Sequence, residues 1–416
     1  MAGLEASRRV VVTGLGLVTS IGIGVADFAA GLRAGRSGAK PITAFDTAGF
    51  AHANGCEIDD FRPADWITET GLDELGRAAR FSVAAARMAV ADAGLGLAEL
   101  RGRRALVSMG TTDGESRDLD HLVESELDQE PGAYDPVIAR RVGAVRLSSS
   151  IVAELGLTDV EAATLPTACA AGNFAVGSGF DAICCGDAEI ALVGGADAVC
   201  RKTFTGFYRL GTIAPEVCRP FDKDRKGILT GEGAGVLVLE SLDSALARGA
   251  RIYAEVLGYG LSCDARHPVA PDRDGITRGI TMAHRNAGIE PGDVDFISAH
   301  GTGTKANDVT ETGAIRQVFG DRPPPTISIK AMIGHTMGGA SAIAAAACAL
   351  ALREGFIPPT INHVETDPEC GVDCVPNRAR PADLRVVQNN ALAFGGNNAV
   401  LILGRAPESA PVSGVA

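Results

Sequence analysis

The sequence predicts an α/β fold built around a mostly parallel, buried sheet. Apolar runs typical of strands alternate with helix-type periodicity along most of the chain, as in layered α/β proteins. Glycine accounts for 52 of the 416 residues, which indicates many tight turns and close backbone contacts. Each half also runs through a strand, a reactive-looking turn, a small-residue helix and a strand with a Gly-Gly pair. This repeat predicts two similar halves, 1–258 and 259–416.

Composition limits the classes of function that suit the chain. The apolar fraction of 46% and the charged fraction of 21% are those of a soluble globular protein. A formal net charge of -13 argues against a general nucleic-acid binder, which needs a basic face. The longest apolar run, 342–352, is shorter than the ~20 residues of a membrane span, so it predicts a buried alanine-rich helix and no membrane anchor.

The ten cysteines have no paired spacing of the kind that binds structural zinc. Several lie in apolar runs, as reduced thiols in a protein core do. We therefore expect no metal site, and this pattern suits a cytoplasmic protein.

The stretch around Cys169 is the centre of the predicted site. An extended lead-in over 164–167 runs into small residues and then into a helix pattern that ends near 186. Cys169 would therefore lie at a strand-to-helix turn, where free N–H groups and the helix dipole favour an anion, and we expect a lowered thiol pKa. On this stretch alone, a small buried core residue is an equal alternative.

Two histidines add to this prediction. His300 and His335 each follow a buried-strand pattern and lie beside glycine, where reactive groups gather in α/β sheets. One thiol and two neutral imidazoles suit acyl transfer through a thioester, because the imidazoles can donate hydrogen bonds to an oxygen that becomes negative. We treat the remaining histidines as structural or surface residues: His52, His121, His267, His284 and His363.

Three other stretches favour plainer interpretations. The glycine turn after the strand at 9–13 has Thr19 in place of the third glycine of a dinucleotide fingerprint. The run at 231–235 lacks the Lys-Ser/Thr of a phosphate loop, so we expect close strand packing there. The acidic stretch at 111–135 predicts a loop or a solvated helix face.

Four motifs follow one another along the chain: Thr-Ala-Cys-Ala-Ala-Gly at 167–172, His-Gly-Thr-Gly-Thr at 300–304 with Asp308 and Glu311, Lys330 with Gly334 and His335, and Phe-Gly-Gly-Asn-Asn at 394–398. Taken together and in this order, they resemble the motifs of the β-ketoacyl-acyl carrier protein synthases, the condensing enzymes of fatty-acid and polyketide assembly. The resemblance covers nearly the whole chain and implies the thiolase fold, with two similar α/β halves in five αβαβα layers.

The resemblance implies a role for each matching residue. Cys169 would hold the growing acyl chain as a thioester. His300 and His335 would bind the malonyl thioester oxygen while carbon dioxide leaves. The backbone N–H groups of Cys169 and Phe394 would form the oxyanion hole, and 394–396, which includes Gly395 and Gly396, would form the gate over the acyl pocket.

Supporting residues follow from the same motifs. Lys330 would orient the site electrostatically, with Glu311 as its partner and Asp308 beside it. Thr302 and Thr304 would meet the pantetheine arm of the carrier protein.

The implied partner is an acyl carrier protein, whose phosphopantetheine carries the substrates, and no separate cofactor is expected. Arg209 and Lys202 are candidate contacts for that acidic partner. The family works as a dimer, here with itself or with a related ketosynthase-like subunit.

The chain departs from the family pattern at several positions. Ala393 replaces a glycine of the gate, Asn397 a threonine, and Gly339 and Ser341 alter the helix after His335. Losing a glycine predicts a stiffer gate. With the unusual pair at 112–113 near the acyl pocket, these changes favour a polyketide or secondary-metabolite ketosynthase over a housekeeping fatty-acid elongation enzyme.

Two further alternatives stay open from the sequence. A thiolase-type enzyme acting on coenzyme A would share the fold, but it would use one histidine and a second cysteine. A chain-length partner subunit of a ketosynthase heterodimer would resemble this chain, but such subunits usually lack the nucleophile.

Overall fold

A computed structural model describes residues 8–128, 132 and 134–406. It has sixteen strands in the described part of the chain, and their bounds are β1 Val10–Thr19, β2 Gly22–Ile23, β3 Lys40–Pro41, β4 Asn54–Cys56, β5 Ala105–Gly110, β6 Val160–Leu165, β7 Ile190–Asp197, β8 Thr230–Gly231, β9 Gly233–Ser241, β10 Ala254–Cys263, β11 Phe296–Ser298, β12 Thr326–Ile327, β13 Phe356–Ile357, β14 Arg380–Pro381, β15 Val386–Leu392 and β16 Asn397–Arg405.

The α-helices of the same residues connect and cover these strands. Their bounds are α1 Val25–Ala34, α2 Arg77–Asp92, α3 Leu97–Arg101, α4 Ser116–Asp128, α5 Pro136–Arg141, α6 Arg146–Leu155, α7 Ala171–Cys185, α8 Arg201–Arg209, α9 Leu242–Ala247, α10 Arg273–Ala287, α11 Lys305–Phe319, α12 Lys330–Ile333 and α13 Ala340–Glu354. Short 3-10 turns at 168–170, 337–339 and 394–396 interrupt the chain around the site.

One large sheet contains the repeat that the sequence predicted. Its order is β12-β11-β15-β16-β10-β1-β9-β7-β5-β6, and β1 joins β10 only through residues 10–12 and 254–256. On each side of this junction the same pairings recur. β5 pairs in parallel with β6 and β7, as β11 does with β12 and β15. β7, β9 and β1 then alternate in direction, as β15, β16 and β10 do.

The sheet is therefore mixed, and the prediction of a mostly parallel sheet is wrong. The antiparallel strands β1, β9 and β16 are buried along nearly their whole length, so they carry continuous apolar runs. Such runs are expected of parallel strands covered on both faces, which is why the sequence could not separate the two arrangements.

Five layers confirm the predicted architecture. The helices α7 and α13 lie between the two sheet halves, since each packs on strands of both and on the other helix. Outside the first half, α2 and α6 cover β1, β5 and β9, and outside the second half α10 covers β10 and β16 with α11 packed on it. The predicted alanine-rich helix is α13, and it is buried from Ala340 to Leu352.

The central position of α7 also bears on the membrane prediction. The stretch Ala168–Cys185 is the one helical segment, among the described residues, that is long and apolar enough to cross a bilayer. In this fold its apolar character is explained by packing between the two halves of the sheet. The predicted boundary at residue 258 lies inside β10, so the division into 1–258 and 259–416 stays a prediction.

The acidic stretch at 111–135 is more than a solvated surface. Its described residues include α4, and Glu115 and Asp118 at the start of that helix are buried. Residues 129–131 and 133 of the stretch lie outside the described residues. The Glu115 carboxylate accepts the backbone N–H groups of Ala78 and Ala79 at the start of α2, at 3.2 and 2.6 Å. Asp118 binds Arg141 through two hydrogen bonds of 2.7 and 2.8 Å. The exposed side of α4 fits the prediction, and its inner side anchors the helix.

Candidate active site

Cys169 lies where the sequence predicted, in the turn between β6 and α7. It is the middle residue of a 3-10 turn that continues directly into α7, and it is 5% exposed. Ala168, immediately before it, has a φ of 52°, a conformation that a non-glycine residue adopts only when its surroundings hold it there. The turn is packed closely, because a Cβ on Gly110 would lie 2.3 Å from the carbonyl carbon of Ala171.

The prediction of a lowered pKa at Cys169 is wrong. Burial raises the pKa of this thiol to about 12, although the positive charge of Lys330 opposes the rise. Desolvation disfavours the thiolate more than the helix start and the lysine favour it. The resting site therefore holds a neutral thiol, and its proton must leave during the reaction.

His300 follows β11, and a buried carboxylate fixes its backbone. Glu311 on α11 accepts the N–H groups of His300 and Gly301, each at 2.8 Å. The Lys330 ammonium donates to the carbonyl oxygen of His300 at 2.6 Å and lies 3.5 Å from its Nδ1. The predicted partnership of Lys330 with Glu311 is an interaction between their charges, because each group binds the His300 segment.

His335 reaches the site from the short helix α12 and is anchored to the other half of the chain. Its backbone N–H donates to the carbonyl of Leu229 at 2.7 Å, and its carbonyl accepts from Gly231 at 2.9 Å. Its Nδ1 accepts the backbone N–H of Met337 at 3.2 Å, across a turn in which Met337 has a φ of 47°. The ring proton is therefore on Nε2.

The structure brings the three predicted groups together. The Cys169 sulfur and one ring nitrogen of each histidine all lie within 4.8 Å of one another. The two imidazoles meet edge to face, with centroids 5.3 Å apart. Burial and then the charge of Lys330 hold the pKa values of His300 and His335 well below the ordinary value. Both imidazoles are thus neutral and can act as hydrogen-bond donors to a developing oxyanion.

Asp308 supports the loop that carries His300. Its carboxylate accepts the N–H groups of Phe221 and Gly303 at 2.9 and 3.2 Å, and it lies 3.4 Å from the buried guanidinium of Arg225. Burial raises the pKa of Asp308 to about 6, against the effects of these donors. This residue is structural support for the loop and does not reach the cavity.

A cavity of about 110 Å³ opens onto the thiol and both histidines. Thr302 and Thr304 line it, and their hydroxyls lie 3.0 Å apart. Thr304 also caps α11 by accepting the N–H of Asn307. Both threonines therefore line the cavity that opens onto the thiol, and their contact with a pantetheine arm stays a prediction.

The predicted gate divides this cavity from a second one. Phe394 is 38% exposed, and its ring lies 5.5 Å from that of Phe207 on α8. Both rings and Cys169 also line the second cavity, of about 310 Å³. Gly395 and Gly396 both have a φ of 82°, which favours glycine, and a Cβ on Gly396 would lie 2.6 Å from the Asp264 Cβ.

The two predicted carrier-protein contacts, Lys202 and Arg209, lie in different surroundings. Lys202 lines the second cavity, where its ammonium lies 2.9 Å from the buried Asp113 carboxylate and 2.7 Å from the Ser116 hydroxyl. It is half exposed and paired with Asp113, and its contact with a carrier protein stays a prediction. Arg209 is exposed at the end of α8, and its role stays a prediction.

The departures from the family pattern have local explanations. Ala393 is extended, with φ -132° and ψ 152°, so alanine adds no strain there, and the stiffer gate stays a prediction. A Cβ on Gly339 would lie 3.2 Å from the carbonyls of Gly195 and Gly233, which explains glycine there. The Ser341 hydroxyl accepts the N–H of Asn173 at 3.0 Å near the start of α7. Asn397 begins β16 opposite Cys263, and nothing in the structure explains asparagine there.

Sequence reasoning missed Asp197, which joins the two sides of the site. This buried carboxylate at the end of β7 accepts the Thr111 hydroxyl and the N–H of Gly338, at 2.5 and 2.6 Å. It also accepts the N–H groups of Thr112 and Asp113. The strand with the first Gly-Gly pair, at 194–195, ends at this residue, but only the fold shows that the partners of Asp197 come from both halves.

A thiol and two neutral imidazole donors, facing one cavity in a two-half αβαβα fold, define an acyltransferase that works through a thioester. Comparison with known families agrees. Residues 7–245 match the N-terminal domain and residues 253–364 the C-terminal domain of the β-ketoacyl synthases. The chain belongs to the β-ketoacyl synthase family, and it is a chain-extending condensing enzyme.

Curated relatives cover almost the whole chain. It is 40% identical to 3-oxoacyl-[acyl-carrier-protein] synthase 2 of Synechocystis sp., over 96% of this chain and 99% of that protein. It is 39% identical to nodulation protein E of a Rhizobium species, over 95% and 98%.

Solved structures confirm the thiolase-like fold. A structure described as the ishigamide ketosynthase/chain length factor has a TM-score of 0.96 and 63% identity, and it covers 97% of this chain and 100% of that one. A type II polyketide acyl-carrier protein in complex with its ketosynthase matches with a TM-score of 0.88 and 29% identity, over 96% and 100%.

Proposed function

We propose that the chain is the catalytic ketosynthase of a polyketide-type system. It would extend an acyl chain held on Cys169 by two carbons, using a malonyl thioester on an acyl carrier protein. The 63% identity to the ishigamide ketosynthase/chain length factor structure, against 40% to 3-oxoacyl-[acyl-carrier-protein] synthase 2 of Synechocystis sp., supports the polyketide pathway over housekeeping elongation. The presence of Cys169 supports the catalytic subunit over a chain-length partner.

The single observation that carries the proposal is the meeting of Cys169, His300 and His335 within 4.8 Å. In the first step the Cys169 sulfur bonds to the acyl carbon as the bond to the pantetheine sulfur breaks. The thiol proton ends on the leaving pantetheine sulfur, so a neutral resting thiol needs no permanent base. The backbone N–H groups of Cys169 and Phe394 would stabilise the oxyanion formed on the way.

In the second step the malonyl thioester oxygen would accept the Nε2–H groups of His300 and His335. The bond between the α-carbon and the carboxylate breaks, and carbon dioxide leaves. The electron pair of that bond stays on the malonyl fragment as an enolate, which the two donors stabilise. The enolate carbon then bonds to the acyl carbon as the bond to the Cys169 sulfur breaks. The released thiolate takes its proton back from solvent.

Lys330 supports both donors. Its ammonium lies 3.5 Å from Nδ1 of His300, which disfavours a proton on that nitrogen and favours one on Nε2. Thr302 and Thr304 would bind the pantetheine arm that enters the first cavity. No other cofactor is needed for this chemistry.

The proposed partners follow from the relatives. A solved relative is a ketosynthase bound to its acyl-carrier protein, and another is a ketosynthase with its chain length factor. We propose an acyl carrier protein as the substrate donor here, with exposed Arg209 as one contact, and a dimer with a second copy or a related subunit. The proposed location is the cytoplasm, with no role in binding nucleic acid or membrane.

Decarboxylation of a malonyl carrier by the purified protein tests this function. The wild-type protein is expected to release carbon dioxide, and His300→Ala is expected to lose the activity by at least about a hundredfold. His121→Ala is the matched control, because His121 is exposed on α4 away from the cavity. A wild type that does not decarboxylate, or a His300→Ala variant that keeps full activity, would contradict the proposal.

A further inference from the structure

A chain of buried polar side chains leads from the outer helix α10 to the active site. His284 on α10 and Gln388 on β15 are joined by a hydrogen bond of 2.7 Å between Nε2 and Oε1. Gln388 donates to Asn390 Oδ1 at 2.7 Å, and Asn390 donates to Glu311 Oε1 at 3.1 Å. Each of the four side chains is less than 5% exposed. The chain ends on the carboxylate that holds His300.

All the links point in one direction. Gln388 Oε1 can only accept, so the Nε2 of His284 must carry its proton. Gln388 and Asn390 then each accept with oxygen and donate with nitrogen, and Glu311 receives the last donation. Aligned hydrogen bonds of this kind polarise one another and favour negative charge at the accepting end.

Burying four polar side chains between β15, α10 and α11 costs free energy unless each of them is hydrogen-bonded. Polar side chains taken out of water lose several kcal/mol unless they are paired, and an apolar layer between β15 and α10 would avoid that cost. Here the pairing is complete along the chain, and the His284 ring also packs edge to face on Phe319. The chain of hydrogen bonds therefore ends on one acceptor, the Glu311 carboxylate.

Glu311 needs donors because its surroundings otherwise favour the neutral acid. Burial raises the pKa of its carboxyl, and the N–H groups of Gly301 and His300, the Asn390 amide and Lys330 each oppose that rise. Asp308 on the same helix lies close enough for the two carboxyls to affect each other, and Arg225 faces Asp308. A neutral Glu311 would no longer balance the charge of the buried Lys330.

We propose that Asn390, Gln388 and His284 are positioning residues that keep Glu311 ionised and oriented, and through it keep His300 and Lys330 in their reactive arrangement. This inference rests on the proposed function, because the positioned residue acts in malonyl decarboxylation. It gives His284 a positioning role beyond the structural or surface role that the sequence predicts.

The test measures kcat and KM for malonyl-carrier decarboxylation across pH in the full-length protein. Asn390→Leu removes one of two side-chain amides that donate to Glu311, the other being Asn307 at 3.3 Å. His284→Phe breaks the chain two links away while keeping a ring against Phe319. Loss of the donor raises the Glu311 pKa, so the acid limb of the kcat profile is expected to move to higher pH. At low pH kcat is expected to fall about tenfold in Asn390→Leu and less in His284→Phe, with KM unchanged. The exposed Gln317→Leu on α11 is the control, with the wild-type profile expected.

The outcomes separate the inference from the function it rests on. An active wild type with both variants keeping its pH profile would overturn the positioning role and leave the proposed function intact. A uniform loss at all pH values, matched by a lower melting temperature, would show a purely structural role and also overturn it. If Asn390→Leu does not fold, the His284→Phe profile decides alone. A wild type without decarboxylation would overturn both proposals.

Discussion

The backbone N–H of Met337 donates to Nδ1 of His335 across 3.2 Å, and this contact decides how the imidazole acts. The accepting Nδ1 carries no proton, so Nε2 carries it and the ring is a donor. His335 is therefore a stabiliser of negative charge on oxygen. Its anchoring to the other half, through Leu229 and Gly231, explains why the donor keeps its direction.

Removing this donor is expected to slow decarboxylation more than acylation. His335→Ala should lower malonyl decarboxylation by about a hundredfold to a thousandfold, because one preorganised oxyanion donor is lost. Acyl transfer to Cys169 should change less, since its oxyanion would be held by backbone N–H groups. The two rates are measured by carbon dioxide release and by the mass of the acylated protein. Equal losses in both steps would contradict this division of roles.

The raised pKa of Cys169 predicts an unusual alkylation profile. With a pKa of about 12, the reactive thiolate fraction should grow about tenfold per pH unit from pH 7 to pH 9. Iodoacetamide labelling of Cys169, followed by peptide mass spectrometry, should rise over that range without a plateau. A plateau below pH 8 would show that the helix start acidifies the thiol after all.

The same three side chains raise the question of a metal. Thiolate and imidazole ligands at this spacing also suit Zn²⁺, and the proposed reaction needs all three free for substrate. Dialysis against EDTA is therefore expected to leave decarboxylation unchanged, and added zinc to inhibit it. Activity that is lost with EDTA and restored by zinc would contradict the proposed mechanism.

Glu115 predicts a measurable dependence of stability on pH. Burial raises its pKa from 4.5 to about 7, so the folded state binds more protons than the unfolded state across that range. Stability from this group is therefore lost as pH rises. The difference in unfolding free energy between wild type and Glu115→Gln should fall by about 3 kcal/mol from pH 4 to pH 8. Urea titrations at several pH values measure it, and a difference independent of pH would contradict the assignment.

The main site residues could be predicted from the sequence because they lie in short motifs. Cys169, His300, His335 and Lys330 each stand in a recognisable local pattern, and the repeat of strand and helix predicted the two halves. What it could not predict depends on burial and on partners distant in the chain. The pKa of Cys169 is set by desolvation, which no local pattern reveals.

The supporting residues show the same limit. Asp197 and Gln388 looked like ordinary strand residues, yet their partners lie at 111–113 and 338 in one case and on α10 in the other. Lys202 looked like a surface cation, and only the fold places Asp113 beside it. Hydrophobic periodicity predicts only which face of a helix or strand is buried, so it cannot predict hydrogen bonds between polar groups that are distant in the chain.

The most direct measurement follows one acyl group through the reaction. The protein is loaded from an acyl carrier thioester, digested and analysed by mass spectrometry, and a second sample receives malonyl carrier before analysis. The account predicts the acyl group on the peptide that contains Cys169, and then its transfer to the carrier with two added carbons. An acyl group found elsewhere, or chain extension that persists in Cys169→Ala, would contradict it.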